Sequence, residues 1–154
     1  MTAQWQTRVP DAIDALVAVF TAALAGQDAT VRDGASVSQA RVTDLLSVGY
    51  TGTEENDVDA QAVGEGLAGS PDRETFTIRC AAACLRGGTD LPAARRRAYE
   101  IFGLAAAAVA ADRTLNRTVM RAMVDSHSLT QDQSDKGAQA VVVFNVSCDS
   151  YTRG

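Results

Sequence analysis

The chain has 154 residues, 46% of them hydrophobic but only 5% aromatic, and a formal net charge of −5. That length suits one domain able to bury about 70% of its unfolded surface, so neither a metal nor a disulfide is needed to hold it folded. The acidic balance argues against a nucleic-acid-binding surface, which needs clustered Lys and Arg to neutralise phosphates.

Residues 9–25 predict an amphipathic helix, with Val9, Ile13, Leu16, Val17, Phe20 and Leu24 at helical spacing. Pro10 suits its first turn, Asp11 and Asp14 suit the positive end of its dipole, and Gly26 stops it. Short strands are expected at 29–33 and 44–50, separated by a polar turn. Residues 51–57 carry Glu54, Glu55 and Asp57 around Gly52 and predict an exposed acidic loop. A further strand is expected at 58–63, before Gly64, Gly66, Gly69 and Pro71 break the pattern.

Residues 74–85 alternate cleanly: Phe76, Ile78, Cys80, Ala82 and Cys84 share one face, and Thr75, Thr77 and Arg79 the other. After Gly87-Gly88, Thr89 or Asp90 caps a long helix that has Pro92 in its first turn and runs to about residue 112. Its buried stripe is expected to be Leu91, Ala94, Ala98, Ile101, Phe102, Ala105, Ala108 and Val109. Arg95-Arg96-Arg97 falls in this helix and reads as a solvated face plus one buried stem. A strand is expected at 118–126, then a polar loop to Lys136 with Gly137 as a hinge, then a last strand at 138–149. Ala140, Val142, Phe144, Val146 and Cys148 share one face of that strand, while Val141 and Val143 make its other face apolar too. A central place in the sheet, or a partner covering the second face, would account for this. Strands thus cluster on either side of one long helix. That order fits an α+β fold: a mostly antiparallel sheet of five to six strands, with the N-terminal helix and the long helix packed on one face.

No catalytic constellation emerges. Gly64 to Gly69 spells GxGxxG, but an acidic, poorly apolar segment precedes it and Pro71 follows, so neither the buried strand nor the helix of a dinucleotide site is available. Cys80 and Cys84 would stand about 13 Å apart at ~3.3 Å of rise per residue, too far for one zinc ion or a disulfide. With Cys148 they read as reduced, buried thiols. His127 is the only histidine; Asp125, Ser126 and Ser128 lie beside it in sequence and so do not converge on one substrate. Asp125, Asp132 and Asp135 lack the spacing of a calcium loop. The N-terminal segment lacks the basic start and apolar run of a signal peptide, and no stretch of about 18 apolar residues could span a membrane. The expected protein is soluble, made in the cytosol, not an enzyme and without a cofactor.

One helix feature stands out. Gly103, Ala106, Ala107 and Ala110 form a second, small-residue face on the long helix. It serves either close packing within the domain or a contact with another subunit. The polar loops at 51–72 and 126–137, with Glu54, Glu55, Asp57, Asp132 and Asp135, are the other candidate contact surfaces.

In order, the segments Thr30-Val31-Arg32-Asp33-Gly34, Asp44 to Tyr50 with its acidic loop, Arg73 to Cys80, Gly87-Gly88-Thr89-Asp90, Ala93 to Ala98, Gln133 to Gly137 and Ala140 to Cys148 make a pattern over residues 9–149. The chain resembles the tail-terminator proteins of long-tailed (siphovirus-type) phages that infect actinobacteria. The resemblance implies a single such domain over 1–154, assembled into a ring, usually a hexamer. Such a ring sits in the virion at the head–tail junction, where it caps the tail tube and joins it to the neck. Its implied partners are copies of itself, the tail tube protein and neck or head–tail connector proteins, with DNA passing through the lumen without specific binding. An acidic chain suits such a lumen, because like charge discourages sticking. Two other classes stay open: a different neck or connector protein of the virion, which would share the composition and the lack of an active site, and a small-molecule-binding or enzymatic α+β domain whose pocket the sequence hides.

Overall fold

The computed structural model describes residues 7–35, 43–64, 71–135 and 137–152. Its elements are α1 (Val9–Ala23), β1 (Thr30–Asp33), β2 (Asp44–Val48), β3 (Val58–Val63), β4 (Arg73–Arg86), α2 (Leu91–Ala111), β5 (Arg121–Ser134) and β6 (Gly137–Tyr151). The fold is α+β, with a six-stranded sheet in the order β1-β2-β4-β6-β5. β1 and β2 are parallel and every other pairing is antiparallel. The long strand β4 organises the sheet. One of its edges is shared in tandem, by β3 along residues 73–78 and by β2 along residues 80–84. Its other edge pairs with β6 along its whole length.

Both helices cover the same face. That face buries Phe76, Ile78, Cys80, Ala82 and Cys84 of β4 and Ala140, Val142, Phe144, Val146 and Cys148 of β6, the two alternating sets expected from the sequence. α1 packs against β1, β2 and α2, whereas α2 packs mainly against β4, β6 and β5. α1 buries Ala12, Leu16, Phe20 and, just past its end, Leu24. Val9, Ile13 and Val17 are only half-buried at the flanks of this stripe. α2 buries Ala94, Ala98, Ile101, Ala105 and Val109, with Leu91, Phe102 and Ala108 partly covered. Phe144 stands at the centre, edge-on to Phe20 at 6.3 Å and to Phe102 at 5.1 Å between ring centroids.

Polar anchors set both helices. The start of α1 has no cap of its own; Glu74, buried on β4, accepts from the Thr7 hydroxyl at 2.5 Å and the Arg8 amide at 2.9 Å. Asp90 caps α2 by accepting from the Ala93 amide. Asp44, only 6% exposed, accepts from Arg86 and from Arg97 at 2.7 Å each, and Arg97 also reaches the Gln27 carbonyl and Glu100. One carboxylate thereby fastens β2, β4 and α2 together. Arg97 supplies the buried stem expected of the basic triplet.

Most of the expected loop at 126–136 is a strand, up to Ser134. β5 continues to Ser134 and pairs residue by residue with β6, interrupted by one irregularity between Val124 and Ser126. Its residues from 125 to 134 are almost all exposed, so the ladder to β6 holds them straight rather than a buried face. The strand also starts later than expected, at Arg121, because a turn pinned by one buried side chain follows α2. Leu115, Asn116 and Arg117 all have positive φ there; Leu115 is fully buried and Asp112 accepts from the Asn116 amide. Gly137 closes the β5–β6 hairpin at φ 120°, where a Cβ would lie 2.2 Å from the Arg86 carbonyl oxygen.

Candidate assembly interface

The side-chain register divides the sheet into a covered face and an open one. No described element packs over the open face. Leu45, Ala83 and Val141 line up across it on one rung, and Arg32, Ser47, Ala81, Val143 and Ser128 on the next. The apolar second face of β6 therefore sits at the centre of the sheet, yet remains only half-buried. Towards the other end, a trough of about 420 Å³ runs over Thr75, Thr77, Ser147, Asp59, Arg121 and Asp149. Val63 and Tyr151, exposed at 57% and 41%, stand on the rung beyond it.

The small-residue face of α2 is turned outward. Gly103, Ala107 and Ala110 are exposed and Ala106 is half-buried, so intramolecular packing among the described residues does not account for the stripe. Ala106 and Ala110 border a groove of about 360 Å³ between α2 and the start of β5, which Phe102, Arg113, Met123 and His127 also line.

Glu54, Glu55 and Asp57 are exposed in the loop before β3, as expected. That loop is held by Arg79, whose guanidinium donates to the Asn56 carbonyl at 2.7 Å and pairs with Asp59 at 2.7 Å. Its Nε lies 3.1 Å from Glu55, within ion-pair range but not aligned as a hydrogen bond. Hydrogen bonds from Arg79 and Asn56 lower the Asp59 carboxyl below its ordinary range. Asp132 and Asp135 do not share a loop: Asp132 is in β5, exposed on the open face opposite Gln139, and Asp135 is in the hairpin turn.

The chemical candidates separate. His127 stacks on the covered side against Phe102 at 4.8 Å and Tyr99 at 5.6 Å, while Ser126 and Ser128 fall on the opposite side of the strand. Asp125 accepts from the Ser147 hydroxyl. Burial pushes the thiols of Cys80 and Cys148 up to about 12 and that of Cys84 to about 11, so all three are neutral and unreactive near pH 7. Among the described residues no three His, Cys, Asp or Glu side chains gather as a metal site. Of the GxGxxG run, Glu65 to Gly69 lie outside the described residues. Among the described residues no helix is long and apolar enough to cross a membrane.

No protein-family model matches the chain, and no curated protein matches it by sequence. Among solved structures, a chain in the virion of a native gene transfer agent particle is similar at TM-score 0.40 and 12% identity, over 88% of this chain and 86% of that one.

The α2 stripe and the acidic loop are visible in the sequence alone, whereas the roles of Arg32, Arg79 and Asp44 within their strands are not. An arginine or aspartate flanked by strand-forming residues was the available signal, but the partner of each lies far away in sequence.

Proposed function

We propose that the protein is a structural virion protein of the tail-terminator kind, whose copies form a ring that ends the tail tube and joins it to the neck. The ordered segments over residues 9–149 suggest the family. The observation that carries the assembly half is the exposed Gly103, Ala107 and Ala110 stripe, which no described part of the same chain covers. A helix face built this way lets another backbone come close, whereas a face meant only for water is usually charged. The half-buried valines of the open sheet face add a second surface of the same character.

In this role the whole chain acts as one non-enzymatic domain at the head–tail junction, with the tail tube protein and a neck protein as its partners. Its net charge of −5 suits a lumen that DNA crosses without adhering. Mass photometry and negative-stain microscopy of the purified chain test the ring: closed rings of one size are expected, and a monomer at all accessible concentrations overturns the reading. Added to isolated tail tubes, the rings should cap one tube end. Rings that ignore tube ends but bind the head-side connector would identify a connector protein instead.

A further inference from the structure

β1 and β5 end the strand order on opposite sides of the sheet, and among the described residues neither pairs with a strand on its outer edge. Their directions are fixed by the pairings between them. β5 is antiparallel to β6, β6 to β4 and β4 to β2, while β1 is parallel to β2. β1 and β5 therefore run in opposite senses. Rotation about an axis along the strands preserves those senses, so β1 of one copy meets β5 of the next as an antiparallel pair, the more favourable ladder.

The two edges differ in charge. Arg32 of β1 lies on the open face, and its Nε is buried without a hydrogen-bond partner among the described residues. A buried donor left in this way is costly unless something else supplies the acceptor. β5 holds no Lys, Arg or Pro from Ala122 to Ser134, the residues that natural edge strands use to repel pairing. It instead carries Asp132, exposed on the same open face and without a partner among the described residues.

The helix layer fits the same juxtaposition. α1 lies over β1 and β2, and α2 over β4, β6 and β5. Extending the sheet from β5 to the next copy's β1 brings that copy's α1 alongside α2. The exposed positions of α1 are Asp14, Ala18, Thr21 and Ala22, and those of α2 are Pro92, Arg96 and Glu100 in its first half and Gly103, Ala107, Ala110 and Ala111 in its second. Small residues on both helices allow close approach.

We propose that copies of this chain join head to tail by adding β1 of one copy, antiparallel, to the free edge of β5 of the next, with Arg32 facing Asp132 and α1 lying beside α2 along the flank that Phe102, Ala106 and Ala110 present above β5. The proposal deepens the ring reading and rests on it. Such a contact is heterologous, so it continues past a dimer and closes into a ring when the rotation between copies divides a full turn.

Mixed cross-linking of the full chain tests it. Arg32→Cys and Asp132→Cys variants are each confirmed folded by thermal melting, then treated with a short bis-maleimide; the native thiols are buried and do not compete. The expected result is a cross-linked dimer only when the two variants are mixed. Dimers from Asp132→Cys alone would mean two β5 strands pairing with each other and would overturn the proposal. Rings that form in the mixture without cross-linking would overturn it while leaving the ring reading intact. A wild-type chain that never assembles would remove both. Charge reversal gives a second measure: Arg32→Asp or Asp132→Arg alone should weaken assembly roughly tenfold, and the two combined should recover most of that loss. Additive losses without recovery would count against the pairing of these two residues.

Discussion

The two faces of the sheet are built from alternate residues of the same strands. On β6, Val142, Phe144 and Val146 are sealed beneath the helices, while Val141, Val143 and Asn145 are only half-buried on the far side. On β4, Ile78, Cys80 and Ala82 face the core, while Thr77, Arg79 and Ala83 face outward. The covered face holds the aromatic cluster around Phe144 and can stabilise the fold alone. The open face carries smaller apolar groups, hydroxyls and ion pairs, and its central valines gain little within one copy. Residue neighbours along one strand can therefore serve different ends, folding on one side and association on the other.

Substitutions that separate the faces should differ most at Phe144. Phe144→Ala removes the ring that contacts both Phe20 and Phe102, and should cost about 3–5 kcal/mol by urea unfolding. A loss under about 1 kcal/mol would show that the covered face is not the source of stability.

Asp44 should come next. Asp44→Ala strands two guanidiniums and should cost about 2–3 kcal/mol, below the value for a fully enclosed pair because Arg86 keeps 35% of its side chain exposed. Burial pushes the Asp44 carboxyl up, but hydrogen bonds from Arg86 and Arg97 outweigh it and hold the group at about 2, below its ordinary 3.8. The unfolded chain thus binds this proton more readily than the folded one. The stabilisation is complete above the unfolded value and is lost as pH falls from about 4 towards 2, by roughly 2 kcal/mol. Denaturant midpoints across that range, compared with Asp44→Asn, check it; an identical acid profile in the variant would remove Asp44 from the account.

The covered face was legible in the sequence because burial leaves a period. α1, β4, α2 and β6 all show it, and the short strands β2 and β3 fall within or at the expected 44–50 and 58–63. The second half of β5 left no such trace. Ser126 to Ser134 are exposed on both faces apart from Leu129, so no alternation marks them, and the long partner β6 straightens them through backbone bonds alone. The candidate interface was half legible. The small-residue stripe of α2 could be read from helical spacing, but its exposure depended on where the neighbouring strands fell. Asp132 stands out in the sequence as a polar contact candidate, but in an expected loop, and Arg32 does not stand out at all; their places on opposite edges of one face emerge only from the completed strand order.

The open face should respond in the opposite way to the core. Val143→Thr keeps the side-chain shape while adding a hydroxyl, and should change monomer stability by less than about 1 kcal/mol, since the residue is half-buried and no described element packs on it. Ala107→Arg should change it least, within about 0.5 kcal/mol, because the position is exposed on α2 and arginine is a good helix former. Yet that same substitution places a long charged side chain where another copy's backbone would have to approach. Circular dichroism melting should therefore report an unchanged fold while sedimentation reports loss of the assembled species. If Ala107→Arg unfolds the chain, the stripe is part of the core after all; if assembly survives it, the stripe is plain surface, and subunit contact must be sought on the edges and open face of the sheet.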